Sequence, residues 1–344
     1  MRLIHTLSRQ ARSAGLALRR RTASLGCAIG AALAATLPAA APAQPVSSGG
    51  VKMEATQVAP NTYFVQGEAA MGSAANRNFI SNAAFVVADG GVLVIDALGS
   101  PPLAEQLLAL IRRTTSLPIR YVVVTHCHAD HIYGLQVLQA TGAKIVGHVG
   151  CRDYLASDTA RLRLQASRDE LFPWIDEHTR LVAPDVWMGD NGREDDLLLH
   201  IGRSVFVVRH AGPSHTPEDL VVYARDSGVL FAGDIVFRGR IPFVGQADSR
   251  KWISALDRLL ELRPTMLVPG HGPVSPQPAE DLVLTRDYLA YLRQSMGEAA
   301  TNLEPFDEAY ARTDWSRYAG LPLFRAVNRM NAYNTYLLME QAPK

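Results

Sequence analysis

Three histidines and one aspartate fall within six residues of the chain, directly after an apolar run. The segment is His126-Cys127-His128-Ala129-Asp130-His131, and residues 121–125 before it are rich in β-branched side chains. Alternate side chains of an extended turn share a face, so His126 and His128 can hold one metal ion while Asp130 and His131 point toward a neighbouring position. Imidazole and carboxylate are ligands of Zn²⁺, and a catalytic zinc site keeps one position open for water. The segment therefore predicts a short loop that serves two metal ions.

Three later segments each place a polar residue beside glycine or proline after a predicted strand. They are Gly212-Pro213-Ser214-His215-Thr216-Pro217, Phe231-Ala232-Gly233-Asp234 and Val268-Pro269-Gly270-His271-Gly272. A β-scaffold presents binding residues from loops of this kind. Each segment alone is also typical of an ordinary turn, so only their combination with the first motif predicts a site.

Taken in order, these motif elements resemble the metallo-β-lactamase superfamily over residues 62–274, whose pattern is HxHxDH followed by a distant His, Asp and His. The resemblance implies two zinc ions per chain. One ion is held by His126, His128 and His215, the other by Asp130, His131 and His271, and Asp234 bridges them. It also implies an αβ/βα four-layer sandwich and a hydroxide shared by the two ions as the nucleophile, with Asp130 as the catalytic residue that orients it.

Differences from individual branches of the superfamily leave several functions open. Zinc β-lactamases typically carry Cys or Ser at the position of Asp234, whereas a bridging Asp resembles the thioesterase, lactonase and phosphodiesterase branches. We therefore expect a small ester, thioester, lactone or amide as the substrate, with a β-lactam as an alternative. A mononuclear-iron persulfide dioxygenase is a second alternative, because His126, His215 and Asp234 supply the two His and one Asp that hold its iron. A non-catalytic zinc-binding accessory protein is a third.

A closer resemblance lies in residues 76–82, 213–219 and 237–244. These segments resemble periplasmic metallohydrolases found with quinoprotein or sulfur-oxidation systems. The resemblance implies a periplasmic redox system as a partner, beside the small-molecule substrate.

The start of the chain has the composition of a targeting segment. The 344 residues hold 34 Lys+Arg and 33 Asp+Glu, but six arginines and no acidic residue fall in the first 43. An apolar run over residues 23–40 and the small residues Ala41-Pro42-Ala43 complete the pattern of a cleaved signal peptide over 1–43. We therefore expect a periplasmic or secreted protein without a stable membrane anchor, and Arg20-Arg21 is compatible with the twin-arginine route. The mildly acidic remainder has no basic footprint for nucleic acid.

Hydrophobic patterning predicts a single α+β domain over residues 44–344. Antiparallel strands are expected at 63–66, 84–87 and 92–95, and Pro101-Pro102 begins a helix through 113 with apolar residues at helical spacing. Further strands are predicted at 121–125, 143–147, 197–201, 205–209, 220–223, 229–231 and 266–268, and further helices at 135–140, 250–262, 278–294 and 323–340. Residues 153–174 lack a sharp period and are interpreted as a lid or helical insertion. The last helices form a C-terminal extension over about 275–344, and the pattern assigns no oligomeric state.

Other polar residues near the motifs have both a functional and a structural interpretation. Arg238 and Arg240 are candidates to clamp a substrate carboxylate or phosphate, although solvated or ion-paired arginines are expected there. Tyr133 is a candidate oxyanion donor, and His148 a candidate pocket residue. Asn76, Asn78 and Asn82 suit either a polar site loop or turns. Trp174 and Trp187 suit a substrate wall or the core. Cys127 is expected to point away from the metal and pack, with metal ligation or a bridge to Cys151 as the alternatives.

Overall fold

A computed structural model of the chain describes residues 51–192, 196–245 and 247–341. The signal peptide predicted over 1–43 lies outside the described residues, so its boundary remains a prediction. Residues Ser48–Lys344 form one compact unit. Within the described ranges, no helix combines the length and the apolar character needed to cross a bilayer.

The first sheet has seven strands that lie side by side in chain order. They are β1 (Thr56–Ala59), β2 (Thr62–Val65), β3 (Ala83–Ala88), β4 (Gly91–Ile95), β5 (Ile119–Val123), β6 (Lys144–His148) and β7 (Val186–Met188). The first four pair antiparallel, and β4 to β7 pair parallel. Every residue of β4 is buried. A strand buried on both faces has a continuous apolar run without alternation, as expected for the centre of such a sheet.

The second sheet has five strands in the order β12-β11-β10-β9-β8. They are β8 (Leu197–Ile201), β9 (Ser204–His210), β10 (Leu220–Ala224), β11 (Val229–Phe237) and β12 (Met266–His271). Strand β11 extends well beyond the predicted 229–231. Its register against the parallel neighbour β12 shifts between Phe231 and Gly233 and again before Phe237. These irregularities allow the strand to carry Gly233 and Asp234, residues that in sequence suggest a turn.

Nine helices are present in the described ranges. They are α1 (Pro101–Thr114), α2 (Ala129–Ile132), α3 (Leu135–Gln139), α4 (Gly150–Leu155), α5 (Asp158–Glu170), α6 (Ser249–Glu261), α7 (Pro278–Thr301), α8 (Phe306–Arg312) and α9 (Phe324–Gln341). Helix α1 begins with Pro near its first position and buries Leu103, Leu107 and Ile111, as the helical spacing predicted. The poorly patterned 153–174 segment contains the end of α4 and all of α5. The short elements β1, β7, α2 and α8 were not predicted. Helix α2 places Asp130 and His131 in a helical turn, where the sequence predicted an extended one.

Three apolar clusters lie between four layers of secondary structure. Leu107 of α1 and Val94 of β4 belong to the cluster on the outer face of the first sheet. Leu93, on the opposite face of β4, belongs to the cluster between the two sheets. Leu230 of β11 and Trp252 of α6 belong to the cluster beneath the C-terminal helices. The helix, sheet, sheet, helix order confirms the predicted αβ/βα sandwich.

Candidate metal centre

Strand ends and loops bring all seven predicted ligand residues to one edge of the sandwich. His126 and His128 lie in the loop that leaves β5, and Asp130 and His131 lie in α2. The other three come from the second sheet, namely His215 between β9 and β10, Asp234 within β11 and His271 at the end of β12. Residues far apart in the chain therefore meet because the two sheets end at the same edge.

The seven side chains form two adjoining groups, each with ligand atoms within 4.8 Å of one another. The first is His126, His128, His215 and Asp234, and the second is Asp130, His131 and His271. In the first group, Nε2 of His215 lies 3.0 Å from Nδ1 of His128 and 3.5 Å from Oδ2 of Asp234. In the second, Nε2 of His271 lies 3.3 Å from Oδ2 of Asp130.

Asp234 joins the two groups. Its Oδ2 lies 3.2 Å from Nε2 of His271, and its Oδ1 lies 3.3 Å from Nε2 of His131, while His215 of the first group approaches the same carboxylate. Gly270 allows β12 to pass this close, because a Cβ on Gly270 would lie 2.0 Å from Oδ1 of Asp234. The arrangement suits a carboxylate that bridges two cations.

Buried polar atoms test whether these residues fit metal ions. Nε2 of His126, Nε2 of His131 and Oδ1 of Asp234 are buried and form no hydrogen bond with any part of the chain that the structure describes. A buried polar atom left unpaired costs about 1–3 kcal/mol. Imidazole nitrogen and carboxylate oxygen are donors that zinc and iron both accept. The donor set therefore fits two metal ions that share Asp234.

Asp96 supports the loop that carries the histidines and is absent from the predicted site. Its Oδ2 lies 2.8 Å from Nδ1 of His131. Its Oδ1 accepts the backbone N–H of Thr125 at 2.8 Å, and its Oδ2 accepts the Thr125 hydroxyl at 2.9 Å. A carboxylate that holds the proton on Nδ1 leaves Nε2 free to bind a metal. The available sequence signal was an aspartate directly after β4, the parallel neighbour of β5.

The asparagine-containing loop at 76–82 supports His271. Nδ1 of His271 donates to the carbonyl oxygen of Ile80 at 2.6 Å, which leaves its Nε2 for a metal. The Asn82 amide donates to the carbonyl oxygens of Pro269 and Gly272, both at 2.8 Å. Asn76 and Asn78 form hydrogen bonds within and beside the same loop, with Met71 and Gly99 among their partners. The structure therefore assigns these asparagines to loop support.

Burial and neighbouring charge shift the pKa values of the site histidines in opposite directions. Burial lowers the pKa of His126 well below its usual value and lowers that of His215 to about 3. Burial opposes the charged form of His131 and His271 as well, but Asp234 and Asp130 outweigh it and raise both pKa values. These two histidines in turn outweigh burial at the carboxylates and lower the pKa of Asp130 and Asp234. Ionised carboxylates are the form that binds metal at neutral pH.

Cys127 forms a disulfide with Cys151, so the expectation that it would only pack was wrong. The two Cα atoms are 5.9 Å apart, within the range that a disulfide spans. Cys127 points away from the ligand side chains on either side of it, toward the first turn of α4, where Cys151 lies. Glu218 lies near both sulfur atoms, but disulfide sulfurs are not available as thiolate ligands.

The two candidate arginines differ in their surroundings. Arg238 forms an ion pair with Asp281 at 2.8 Å, as expected for a structural arginine. Arg240 is only 5% exposed, and its Nη1 lies 3.3 Å from Nδ1 of His271. Within the described ranges, no carboxylate lies at ion-pair distance from Arg240, and burial lowers its pKa. Arg240 is therefore a buried cation at the wall of the metal centre.

The remaining candidates have structural contacts. The Tyr133 hydroxyl is buried and pairs with Ser167 Oγ at 3.3 Å, which does not suit an oxyanion donor. The Trp174 indole donates to the carbonyl of Ala74 at 2.7 Å, and its ring contacts Arg77. The His148 ring stacks on His210 with centroids 4.0 Å apart. Trp187 is half-buried and contacts Arg152.

Comparison with known proteins identifies the family. Residues 76–271, more than half of the chain, match the profile of the Metallo-beta-lactamase superfamily. A linear primary-alkylsulfatase of Pseudomonas sp. (strain ATCC 19151) is 25% identical over 250 residues, which cover 60% of this chain and 45% of that protein. A hydroxyacylglutathione hydrolase of Rhodobacter capsulatus is 31% identical over 182 residues, which cover 52% of this chain and 57% of the relative. The chain thus spans about half the length of these curated relatives.

A solved structure supports the fold. The stereoselective inverting sec-alkylsulfatase from Pseudomonas sp. aligns with a TM-score of 0.65 at 18% identity, over 83% of this chain and 50% of that one. At this identity the likeness concerns the fold alone. The residues that match the family profile include all seven members of the two ligand groups. The chain therefore belongs to the metallo-beta-lactamase superfamily.

Proposed function

We propose that this protein is an exported hydrolase that uses two zinc ions to cleave a small ester, thioester, lactone or amide. The observation that carries the proposal is the position of Asp234, whose two oxygens lie within 3.3 Å of imidazole nitrogens. Ligand groups that share a carboxylate suit two cations acting on one substrate. Zinc ions bound there would lower the pKa of bound water toward neutrality. They would also polarise the substrate carbonyl group, which makes its carbon more electrophilic.

Asp130 is the proposed proton acceptor. Its side chain is 16% exposed, against 4% for Asp234, so it is the carboxylate of the two that an entering water reaches. Neighbouring imidazoles lower its pKa despite burial, so Oδ2 is ionised at neutral pH and can accept a proton. In the reaction, the water oxygen bonds to the substrate carbonyl carbon and the bond to the leaving group breaks. The proton held at Asp130 Oδ2 then passes to the leaving group.

Arg240 supports a substrate that carries an anionic group near the reacting bond. A buried guanidinium without a carboxylate partner binds an oxyanion well, because its N–H groups form paired, charge-assisted hydrogen bonds. Carboxylate and sulfate both fit this description. The same observation favours a second candidate function, cleavage of an alkyl sulfate ester, which is the substrate class in the name of one relative. A hydroxyacyl compound, the substrate class in the name of the other relative, belongs to the first candidate function.

Metal content, read beside turnover, tests the proposal. Inductively coupled plasma mass spectrometry of the purified protein should find about two zinc ions per chain, and a substrate panel should include a thioester, an alkyl sulfate and nitrocefin. H128A and H271A should each lose one metal equivalent and most activity, since each opens one ligand group. H178A, which changes a histidine that is 81% exposed, is the matched control and should lose neither.

The alternatives give different results in the same experiment. One iron per chain would replace the proposal with a mononuclear-iron persulfide dioxygenase. Nitrocefin as the best substrate would identify a β-lactamase. Zinc binding without turnover of any substrate would indicate an accessory protein, and full activity in H128A would overturn the two-metal mechanism.

We further propose that the mature protein acts in the periplasm or outside the cell, beside a periplasmic redox system. The arginine-rich and apolar composition of residues 1–43 supports export. The Cys127–Cys151 disulfide supports an oxidising compartment. Cell fractionation with N-terminal sequencing tests the export proposal, because the mature chain should begin at Gln44. A full-length cytoplasmic protein would contradict it.

A further inference from the structure

We propose that an apolar cavity beside the metal centre is the binding site for a short acyl or alkyl group of the substrate. This inference rests on the proposed hydrolase function and adds a substrate class to it. The cavity has a volume of about 60 Å³. Phe237, Arg240 and Pro242, at and after the end of β11, form one part of its wall, and Leu284, Tyr288 and Tyr318 form another.

Two residues belong to both the cavity and the metal centre. The Phe237 ring stacks on the imidazole of His271 with centroids 5.1 Å apart and planes 4° apart. The Arg240 guanidinium lies 3.3 Å from the same imidazole. Phe237 and Arg240 therefore place the cavity next to His271, and the Arg240 guanidinium lies where it can bind an oxyanion between the two.

The size of the cavity limits the length of the group. Its volume of about 60 Å³ is well below the roughly 150 Å³ of an engineered cavity that binds benzene, so it suits a short chain. Burial of one methylene tightens binding by about fourfold. Leu284 at the wall is 41% exposed, so a longer chain would extend toward solvent. Affinity should therefore rise over the first few methylenes and then level off.

The helical wall lies outside the segment that matches the superfamily profile. The profile ends at residue 271, whereas Leu284 and Tyr288 are in α7 and Tyr318 follows α8. The helical side of the cavity is therefore formed outside the matched segment, so the shared ligand motif does not determine its occupant.

Calorimetric titration of the metal-loaded protein with acetate, propionate, butyrate and hexanoate tests the cavity. The dissociation constant should fall by about fourfold per methylene from acetate to butyrate and change little afterwards. L284W should narrow the solvent end of the cavity. It should bind acetate normally but lose the increase in affinity with each added methylene, called here the chain-length gain. L162W, on a helix and 57% exposed, is the matched control and should keep the gain. An equal gain in wild type and L284W would overturn the proposal.

The failure of the cavity and the failure of the proposed function are distinguishable. Acetate binding reports on the metal centre, so a metal-loaded protein that does not bind acetate would argue against the proposed hydrolase function. Ethanol, 1-propanol and 1-butanol lack a carboxylate, and their chain-length gain, measured by ligand-observed NMR in wild type and L284W, reports on the cavity alone.

Discussion

Nδ1 of His131 lies 2.8 Å from Oδ2 of Asp96, a residue 35 positions earlier in the chain. The contact exists because β4 and β5 are parallel neighbours, so the residues that follow them meet at one sheet edge. Asp96 also accepts two hydrogen bonds from Thr125, which precedes the first ligand. One buried carboxylate thus orients a ligand and holds the start of the ligand loop.

Substitution of Asp96 by Asn should weaken zinc binding. Loss of an outer partner of a metal-binding histidine typically costs 10- to 100-fold in affinity, and we expect this range for the ion held by His131. Competition titration with a chromophoric chelator measures it. D248N, which changes an aspartate at the start of α6, is the control. Unchanged zinc affinity in D96N would show that Asp96 has no role at the metal.

Substitution of Gly270 by Ala should damage both stability and the metal centre. The added Cβ would lie 2.0 Å from Asp234 Oδ1 and 2.7 Å from the carbonyl carbon of Gly233. Overpacking of this kind costs about 1–3 kcal/mol, and Asp234 must move to relieve it. Urea denaturation and zinc content measure the two effects. G320A is the control, because nothing lies within 4 Å of the Cβ there. Equal behaviour of G270A and G320A would contradict the close approach.

Substitution of Arg240 by Gln should raise KM for anionic substrates only. A hydrogen bond to a charged group contributes about 1.5–3 kcal/mol, so the expected increase is about tenfold or more. Steady-state kinetics with a matched pair of anionic and neutral esters measures it. R238Q removes the ion pair with Asp281 and should leave both KM values unchanged. An R240Q enzyme with the same KM increase for both esters would argue against oxyanion recognition.

Asp219 should make stability depend on pH. Its carboxylate accepts hydrogen bonds from Ser214 and Thr216, yet burial raises its pKa to about 7, above the unfolded value of about 3.9. Between these values the folded state binds a proton that the unfolded state does not. The free energy of unfolding should therefore fall as pH rises from about 4 to about 7, by up to about 4 kcal/mol, and not change further above.

The variant D219N separates this effect from the titration of the histidines. Urea denaturation at several pH values between 5 and 8 gives the difference in unfolding free energy between wild type and D219N. The unfolding free energy of wild type should fall relative to that of D219N as pH rises to 7. A difference that is independent of pH would mean that Asp219 is ionised throughout.

The amino-acid sequence by itself predicted the ligand residues and most of the elements that carry them. The first four predicted ligand residues lie within six residues of the chain, and the resemblance to the superfamily motif added His215, Asp234 and His271. Helical spacing likewise predicted α1, and continuous apolar runs predicted the central strands. Short elements such as β1, β7 and α8 contain too few residues for a period to be visible.

Only the tertiary structure decided which residues support and surround the site. Ile80 accepts a hydrogen bond from His271 across 191 positions, and Cys127 reaches Cys151 across 24. The apolar cavity needs β11 and the C-terminal helices to be placed together. These contacts depend on strand order and on the packing of layers, because partners far apart in the chain are brought together by the fold and leave no shared pattern in the residues between them.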